Sequence, residues 1–389
     1  MPPRPLSGPA GPVRAPAVRR HNLGLLLAAL RRAPSSRAAL ATGTGLTRDT
    51  VASLLDPLVA RGVLEEGPPT RSGVGRPGRP LGFAGSGPVV VGTSVEVDGL
   101  VACVVGLDGT VVRRLQRRRD HRSLPAEMVF GPAARDVGAL CERSDRRVVG
   151  AGLAVPAQIT GAGPDFEVLR APNLPLLAGC RPGELFAPTG RRPVVVGNEA
   201  SLGALAHLGE VTDFVYVSAG VGIGGGIVTG GRVLPGARGL AWEIGHVVVE
   251  RAGRACGCGG TGCVEQYAGL PALLADAGAD DLPALRSAVR AGEPGALAAL
   301  DRAGTALGVA LASVLNVVDL PTVVLGGSYA HLGDRLAPVV RDEVRRRRPA
   351  AGPDVEVRVS GHGRPATALG TARAVLDRVL DDPDLLLAG

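Results

Sequence analysis

The chain has 389 residues, too many for one ordinary hydrophobic core, and so reads as two or three domains. Hydrophobic residues make up 45% of it but aromatics only 2%, so Leu and Val must build the cores. The 43 basic residues are all Arg, yet the net charge of +7 resides in the first segment: residues 1–85 hold 12 Arg against Asp49, Asp56, Glu65 and Glu66, and residues 86–389 are close to neutral. This excludes a uniformly basic surface and points to a polyanion at the N-terminal segment. The start, MPPRPLSGPAGPVRAPAVRR, lacks the apolar run of a secretory signal, and LGLLLAAL (23–30) is too short to span a bilayer. The expectation is a cytoplasmic chain with no membrane partner, in which the six Cys are metal ligands or free thiols rather than disulfides.

In chain order, residues 1–18 read as a disordered tail. A helix is predicted from Arg19 to Arg32, stopped by Pro34. Ser35–Ser36 can cap a second helix, RAALATGT, and Thr47 a third, RDTVASLLDPLVARG, ending at Gly62 with a possible kink at Pro57. VLEEG and GVGRPGRPLGF then read as a two-stranded wing. Helix, helix, turn, helix, wing over residues 19–85 is a winged helix-turn-helix pattern, and it implies double-stranded operator DNA as partner. The third helix would present Arg48, Asp49, Thr50 and Ser53 to base edges, and Arg37 and the wing Arg residues would meet phosphates. Arg76 and Arg79, in the tip GRPGRP, are candidates for a narrow A·T-rich minor groove. The alternative is a basic linker between domains. The runs RRLQRRRDHR (113–122) and RRRR (345–348) read as solvated faces.

From Gly87 the texture changes. PVVVGTSVEV, GLVACVVGL and GTVVRRLQ are three strands with glycine turns, followed by strand and helix alternation. The pattern recurs from DFVYVSAGVGIGGGIVTGGRVL (213–234) onward. Two α/β lobes with a cleft are expected: residues 86–200, completed by a C-terminal helix within 366–389, and residues 201–365.

The second lobe contains CGCGGTGC (256–263). Cys256, Cys258 and Cys263, with His246 upstream, supply four soft or borderline ligands, and the intervening glycines permit the tight turns that aim them. A redox pair normally reads C-x-x-C, which Cys256-Gly-Cys258 does not. The spacing predicts a closed structural zinc site.

The stretch EIGHVVVERAGRACGCGGTGCVEQ (243–266) resembles the signature of the ROK family (repressors, open reading frames, sugar kinases). The resemblance continues through PNLP (172–175), NEA (198–200), the glycine run (220–226) and LGG (325–327), and the N-terminal pattern is similar to that of the family's sugar-responsive repressors. It implies a two-lobed actin-like, ribonuclease-H-like sugar kinase fold. It also implies that Asn198, Glu199, Glu243, His246 and Glu265, with Asn173 as a further candidate, hydrogen-bond a small-molecule sugar effector. His246 would serve both the metal and a sugar hydroxyl.

Set against the family's kinases, the chain departs at two places. In VVVGTSVEVDGL (89–100), Ser94 stands where the resemblance puts a magnesium-binding Asp, and Glu96 and Val97 stand where it puts the glycines of a phosphate loop. A carboxylate there repels nucleotide, and a side chain blocks close backbone approach. The base position is Glu199 rather than Asp, a methylene longer, which displaces the proton acceptor. The expectation is a non-enzymatic, sugar-responsive repressor acting as a homodimer or dimer of dimers. The alternatives are an active ATP-dependent sugar kinase and a repressor controlled by a protein partner.

Overall fold

A computed structural model describes residues 15–69, 79–160, 165–236, 241–349 and 353–387. It opens with helices α1 (Ala15–Arg32), α2 (Arg37–Thr44) and α3 (Arg48–Ala60). Helix α1 begins inside the stretch expected to be a tail. Pro16 falls in its first turn, where a missing N–H breaks no helical bond. The rest of that stretch, residues 1–14, lies outside the described residues. Ser36 caps α2 by accepting the Ala39 amide at 3.2 Å, and Gly45 closes it in the left-handed region at φ 73°. Thr47 caps α3 through the Thr50 amide at 3.2 Å, and Pro57 sits inside α3 without ending it. Strands β1 (Leu64–Glu66) and β2 (Leu81–Phe83) pair antiparallel beside these helices, with Leu64 opposite Phe83. Residues 70–78, including Arg76, lie outside the described residues.

The next elements are β3 (Val89–Glu96), β4 (Gly99–Gly106), β5 (Val111–Arg118), α4 (Ala126–Glu142), β6 (Val148–Val155), the hairpin β7 (Gln158–Thr160) and β8 (Glu167–Arg170), α5 (Pro182–Leu185), β9 (Val195–Asn198) and α6 (Glu199–Ala204). They build a sheet of order β5-β4-β3-β6-β9. Strand β3 is buried along nearly its whole length, as its valine run requires, and β5 forms the edge, blunted by exposed Arg side chains.

After these come β10 (Phe214–Ala219), β11 (Ile223–Thr229), β12 (Arg232–Val233), α7 (Glu265–Ala268), α8 (Leu270–Ala277), α9 (Leu282–Ala291), α10 (Pro294–Val318), β13 (Thr322–Gly327), α11 (Gly333–Arg347), β14 (Glu356–Val359), α12 (Ala366–Asp381) and α13 (Asp384–Leu387). The second sheet runs β12-β11-β10-β13-β14. Each sheet has three antiparallel strands followed by two parallel ones in the same spatial order, so one unit has been used twice. Helix α10 is the one described helix long and apolar enough to cross a membrane. It packs Leu300, Leu307, Leu311 and Leu315 into the second core.

The chain passes between the sheets at residues 205–213 and again at 360–365, so a division at 200/201 cuts α6 in two. Helix α12 returns to lie on the first sheet. A Cβ at Gly92 of β3 would fall 2.1 Å from Ala368 O, so the approach needs glycine. Val375 and Val379 stay on the sheet side, against Gly150 and Gly152 of β6, while Leu376 and Leu380 share a buried cluster with Leu23, Leu26, Leu27 and Leu30 of α1. Arg31 adds an ion pair to Asp377.

Candidate functional site

The cysteine loop lies between the 3-10 turn Ile244–His246 and α7. His246 Nδ1 is 3.7 Å from Cys256 Sγ, and Cys258 Sγ is 3.7 Å from Cys263 Sγ. The four donor atoms all fall within 4.8 Å of one another. A tetrahedral ion with metal–sulfur bonds of ~2.3 Å has ligand edges of about 3.8 Å, so the cluster can hold a metal without rearrangement. The Gly260 amide donates to Cys258 Sγ at 3.4 Å and pulls that thiol below its ordinary range. Gly262, at φ 73°, is obligatory: a Cβ there would lie 1.7 Å from Glu250 O. His246 turns its other nitrogen away from the thiols, with Nε2 3.8 Å from Glu243 Oε2.

The carboxylates and amides named from the sequence gather around β11. Glu265 Oε2 accepts the Ile223 amide at 2.9 Å. A Cβ on Gly222 would come 2.5 Å from that oxygen and 3.6 Å from Asn173 Nδ2. Gly224 faces Ala200, next to Glu199, at 2.7 Å, and Gly225 faces Ile244, next to Glu243, at 2.8 Å on the same measure. The glycine run is therefore a packing hub for the elements that carry Asn173, Glu199, Glu243, His246 and Glu265. Asn198 differs from the rest. Its Oδ1 accepts the Ala200 and Ser201 amides at 3.0 and 3.2 Å, and its Nδ2 donates to Ala157 O at 3.1 Å. It is the cap of α6, and it positions Glu199 rather than reaching out itself.

The first hairpin turn holds a charge cluster that sequence patterns did not reveal. Arg364 Nε donates to Glu96 Oε2 at 2.9 Å and Nη2 to Asp98 Oδ1 at 2.6 Å. Ser94 is fully buried, and its hydroxyl has no hydrogen-bond partner. Burial pushes Glu96 up, against the pull of Arg364. Glu199 sits close enough to sense both acids, and burial first, then Glu96 and Asp98, push its carboxyl up to about 8. The shift favours the protonated carboxyl, which donates a hydrogen bond. Another contact absent from the motifs is Arg170 of β8, whose Nη2 donates to Gly257 O at 3.2 Å and so ties the first lobe to the cysteine loop.

At the other end of the molecule, Arg48 and Ser53 are exposed on α3, and Thr50 is half-buried with its hydroxyl 2.8 Å from that of Thr47. Arg37 was expected at a phosphate. Instead it reaches Asp56 at 2.9 Å and Glu66 at 2.5 Å, so its charge is offset internally and it braces α2 against α3 and β1. Arg79 is well exposed, 3.8 Å from Glu66.

Residues 91–378 match the model of the ROK family. The chain is 28% identical over 372 residues to the xylose repressor of Bacillus subtilis strain 168, covering 92% of this chain and 95% of the repressor. It is 35% identical over 213 residues to the kanosamine kinase of Amycolatopsis mediterranei, covering 53% of this chain and 69% of the kinase. The crystal structure of a ROK family transcriptional regulator, a homologue of the E. coli MLC protein, superposes with a TM-score of 0.79 at 22% identity, over 95% of this chain and 98% of that one. A ROK family glucokinase from Streptomyces griseus, in complex with glucose and AMPPNP, gives 0.64 at 23% identity, over 74% of this chain and 99% of the kinase. The repressor and the regulator match nearly the whole chain; the kinases match part of it.

Proposed function

The chain belongs to the ROK family, and from that premise we propose a sugar-responsive transcriptional repressor whose kinase-like lobes sense a sugar and do not phosphorylate it. The observation that carries the non-catalytic part is the β3–β4 turn. Glu96, Val97 and Asp98, held by Arg364, occupy the place of a phosphate loop, and a buried serine occupies the place of a metal-binding acid.

The sugar site is the set Asn173, Glu199, Glu243, His246 and Glu265 around β11. Several fixed donors and acceptors at one place suit the vicinal hydroxyls of a monosaccharide. The likeness to xylose repressors puts an aldopentose first in any ligand series. The ion at His246, Cys256, Cys258 and Cys263 is Zn2+. Its chemistry there is structural: four protein ligands leave no position for substrate, and the fixed His246 keeps its other nitrogen aimed at Glu243 and the sugar. Removing this ion by chelation, or by Cys258→Ser, lowers sugar affinity about 10–100-fold.

The DNA-binding part is the winged helix-turn-helix. Arg48 and Ser53 read base edges from α3, and Arg79 and Arg76 follow the backbone or the minor groove. A homodimer sets two such units on a palindromic operator. Sugar acts by binding one lobe arrangement better than the other. Helix α12 carries the change, since it starts at the second inter-sheet passage and its far half packs on α1.

Fluorescence anisotropy of operator DNA, titrated with a panel of pentoses, hexoses and amino sugars, tests the proposal. One sugar is expected to shift the DNA affinity, and no ATP-dependent phosphorylation of it is expected. Sugar phosphorylation that disappears in Glu199→Gln overturns the reading in favour of a kinase. A panel without any response favours control by a protein partner.

A further inference from the structure

The two passages between the sheets each carry a histidine, and the two histidines meet. His207, at the end of the 3-10 turn Leu205–His207, is only 1% exposed. Its ring centroid lies 4.9 Å from that of His362, which belongs to the passage from β14 to α12. Glu210, from the first passage, brings Oε1 to 3.3 Å from His362 Nε2 and Oε2 to 4.0 Å from His207 Nδ1. One donor atom from each of the three residues falls within 4.8 Å of the others.

Hydrogen bonding does not account for this grouping. His362 Nε2 is buried and makes no hydrogen bond, although the Glu210 carboxylate is near. The 4.0 Å between Glu210 and His207 Nδ1 is too long for a hydrogen bond. Two ligands ~2.0–2.2 Å from one tetrahedral ion lie about 3.3–3.6 Å apart, so the 3.3 Å between Glu210 Oε1 and His362 Nε2 fits such an ion, and His207 Nδ1 needs to close in by only a few tenths of an ångström. Ser360 supplies the supporting contact: its Oγ is 3.3 Å from His207 Nε2 and accepts the His362 amide at 3.3 Å. A proton on Nε2 directed at Ser360 leaves the Nδ1 lone pair facing Glu210 and His362.

We propose that His207, Glu210 and His362 form a second metal site, for a divalent transition-metal ion, which ties together the two chain passages that join the lobes. Two imidazoles and a carboxylate suit Zn2+ best among common divalent ions. The site differs in kind from the cysteine cluster. It has three protein ligands and a position left for water, and Glu210, with its side chain 58% exposed, opens it to solvent. The ion is therefore exchangeable, and it acts on the one part of the chain that must bend when the lobes move. A metal here couples ion availability to lobe angle without touching the sugar site.

The test uses full-length protein, stripped with chelator, equilibrated with excess Zn2+ and freed of unbound ion, with metal content read by plasma mass spectrometry. The Cys258→Ser protein, which lacks the cysteine site, is expected to retain one equivalent. Adding Glu210→Gln or His362→Asn to it is expected to remove that equivalent. Glu210 is exposed, so its variant keeps the fold, checked by circular dichroism. With Co2+ as probe, the retained ion should show weak visible absorption and no thiolate charge-transfer band. The proposal is overturned if Cys258→Ser holds no metal, or if Glu210→Gln and His362→Asn leave its metal content unchanged.

Discussion

The β3–β4 turn and the β10–β11 turn hold equivalent places in two sheets of the same topology, yet only the second has kept its glycines. The surroundings explain the difference. Just after the second turn a Cβ on Gly224 or Gly225 of β11 would meet Ala200 at 2.7 Å or Ile244 at 2.8 Å. In the first turn Glu96 and Asp98 face Arg364 across a space that accepts large side chains. Packing accounts for Gly224 and Gly225, whereas at Gly220 no neighbour would meet a Cβ. A glycine-rich loop in a kinase-like fold is thus poor evidence of a kinase when its glycines are needed for packing.

The largest test of this contrast is at Gly327, where β13 ends beside the second turn. It has φ 60°, and a Cβ would fall 2.2 Å from Ala219 O. Gly327→Ala should destabilise the protein by about 3 kcal/mol or more in urea unfolding, since both backbone strain and a backbone clash oppose it. A loss below about 1 kcal/mol would break the argument that packing preserves these glycines. Gly222→Ala meets only the end of a flexible side chain, so Glu265 gives way. Sugar affinity should fall about 10–100-fold by calorimetry while the melting temperature barely moves.

Glu96→Gln, in the changed turn, should cost about 1–2 kcal/mol by leaving Arg364 with one carboxylate, and should not create ATP binding. Equilibrium dialysis with ATP and Mg2+ checks the second half. The remaining test is the pH dependence at Glu199. Its folded carboxyl is raised to about 8, so the folded state binds the proton more tightly than the unfolded state does. Stability from this group is full at acid pH and is lost as pH rises from about 4.5 through about 8. Glu199→Gln should remove that decline, so that its stability relative to the parent chain rises between pH 5 and pH 9, read from unfolding curves at the two pH values.

How much of this was legible in the sequence depended on how far apart the partners lie. The caps Ser36 and Thr47, the helix Ala366–Asp381 and the ligand cluster 246–263 are local, and pattern alone placed them. The start of α1 was placed too late because residues 1–18 read as one tail, although a first turn tolerates Pro16. Arg37 was assigned to phosphate because nothing local shows that Asp56 and Glu66 claim it. Asn198 was assigned to sugar by resemblance, and its cap of α6 was not foreseen because a cap and a ligand look alike in sequence. Arg364 carries no motif, and its partners Glu96 and Asp98 lie near the other end of the chain.

The shared core of α1 and α12 has a consequence for synthesis on the ribosome. The N-terminal helices emerge first, but part of their apolar face shares a core with Leu376 and Leu380, which emerge long afterwards. Until α12 arrives, the core around α1 lacks part of its cover. A polypeptide cut short before α12 is therefore expected to leave leucine side chains of α1 uncovered.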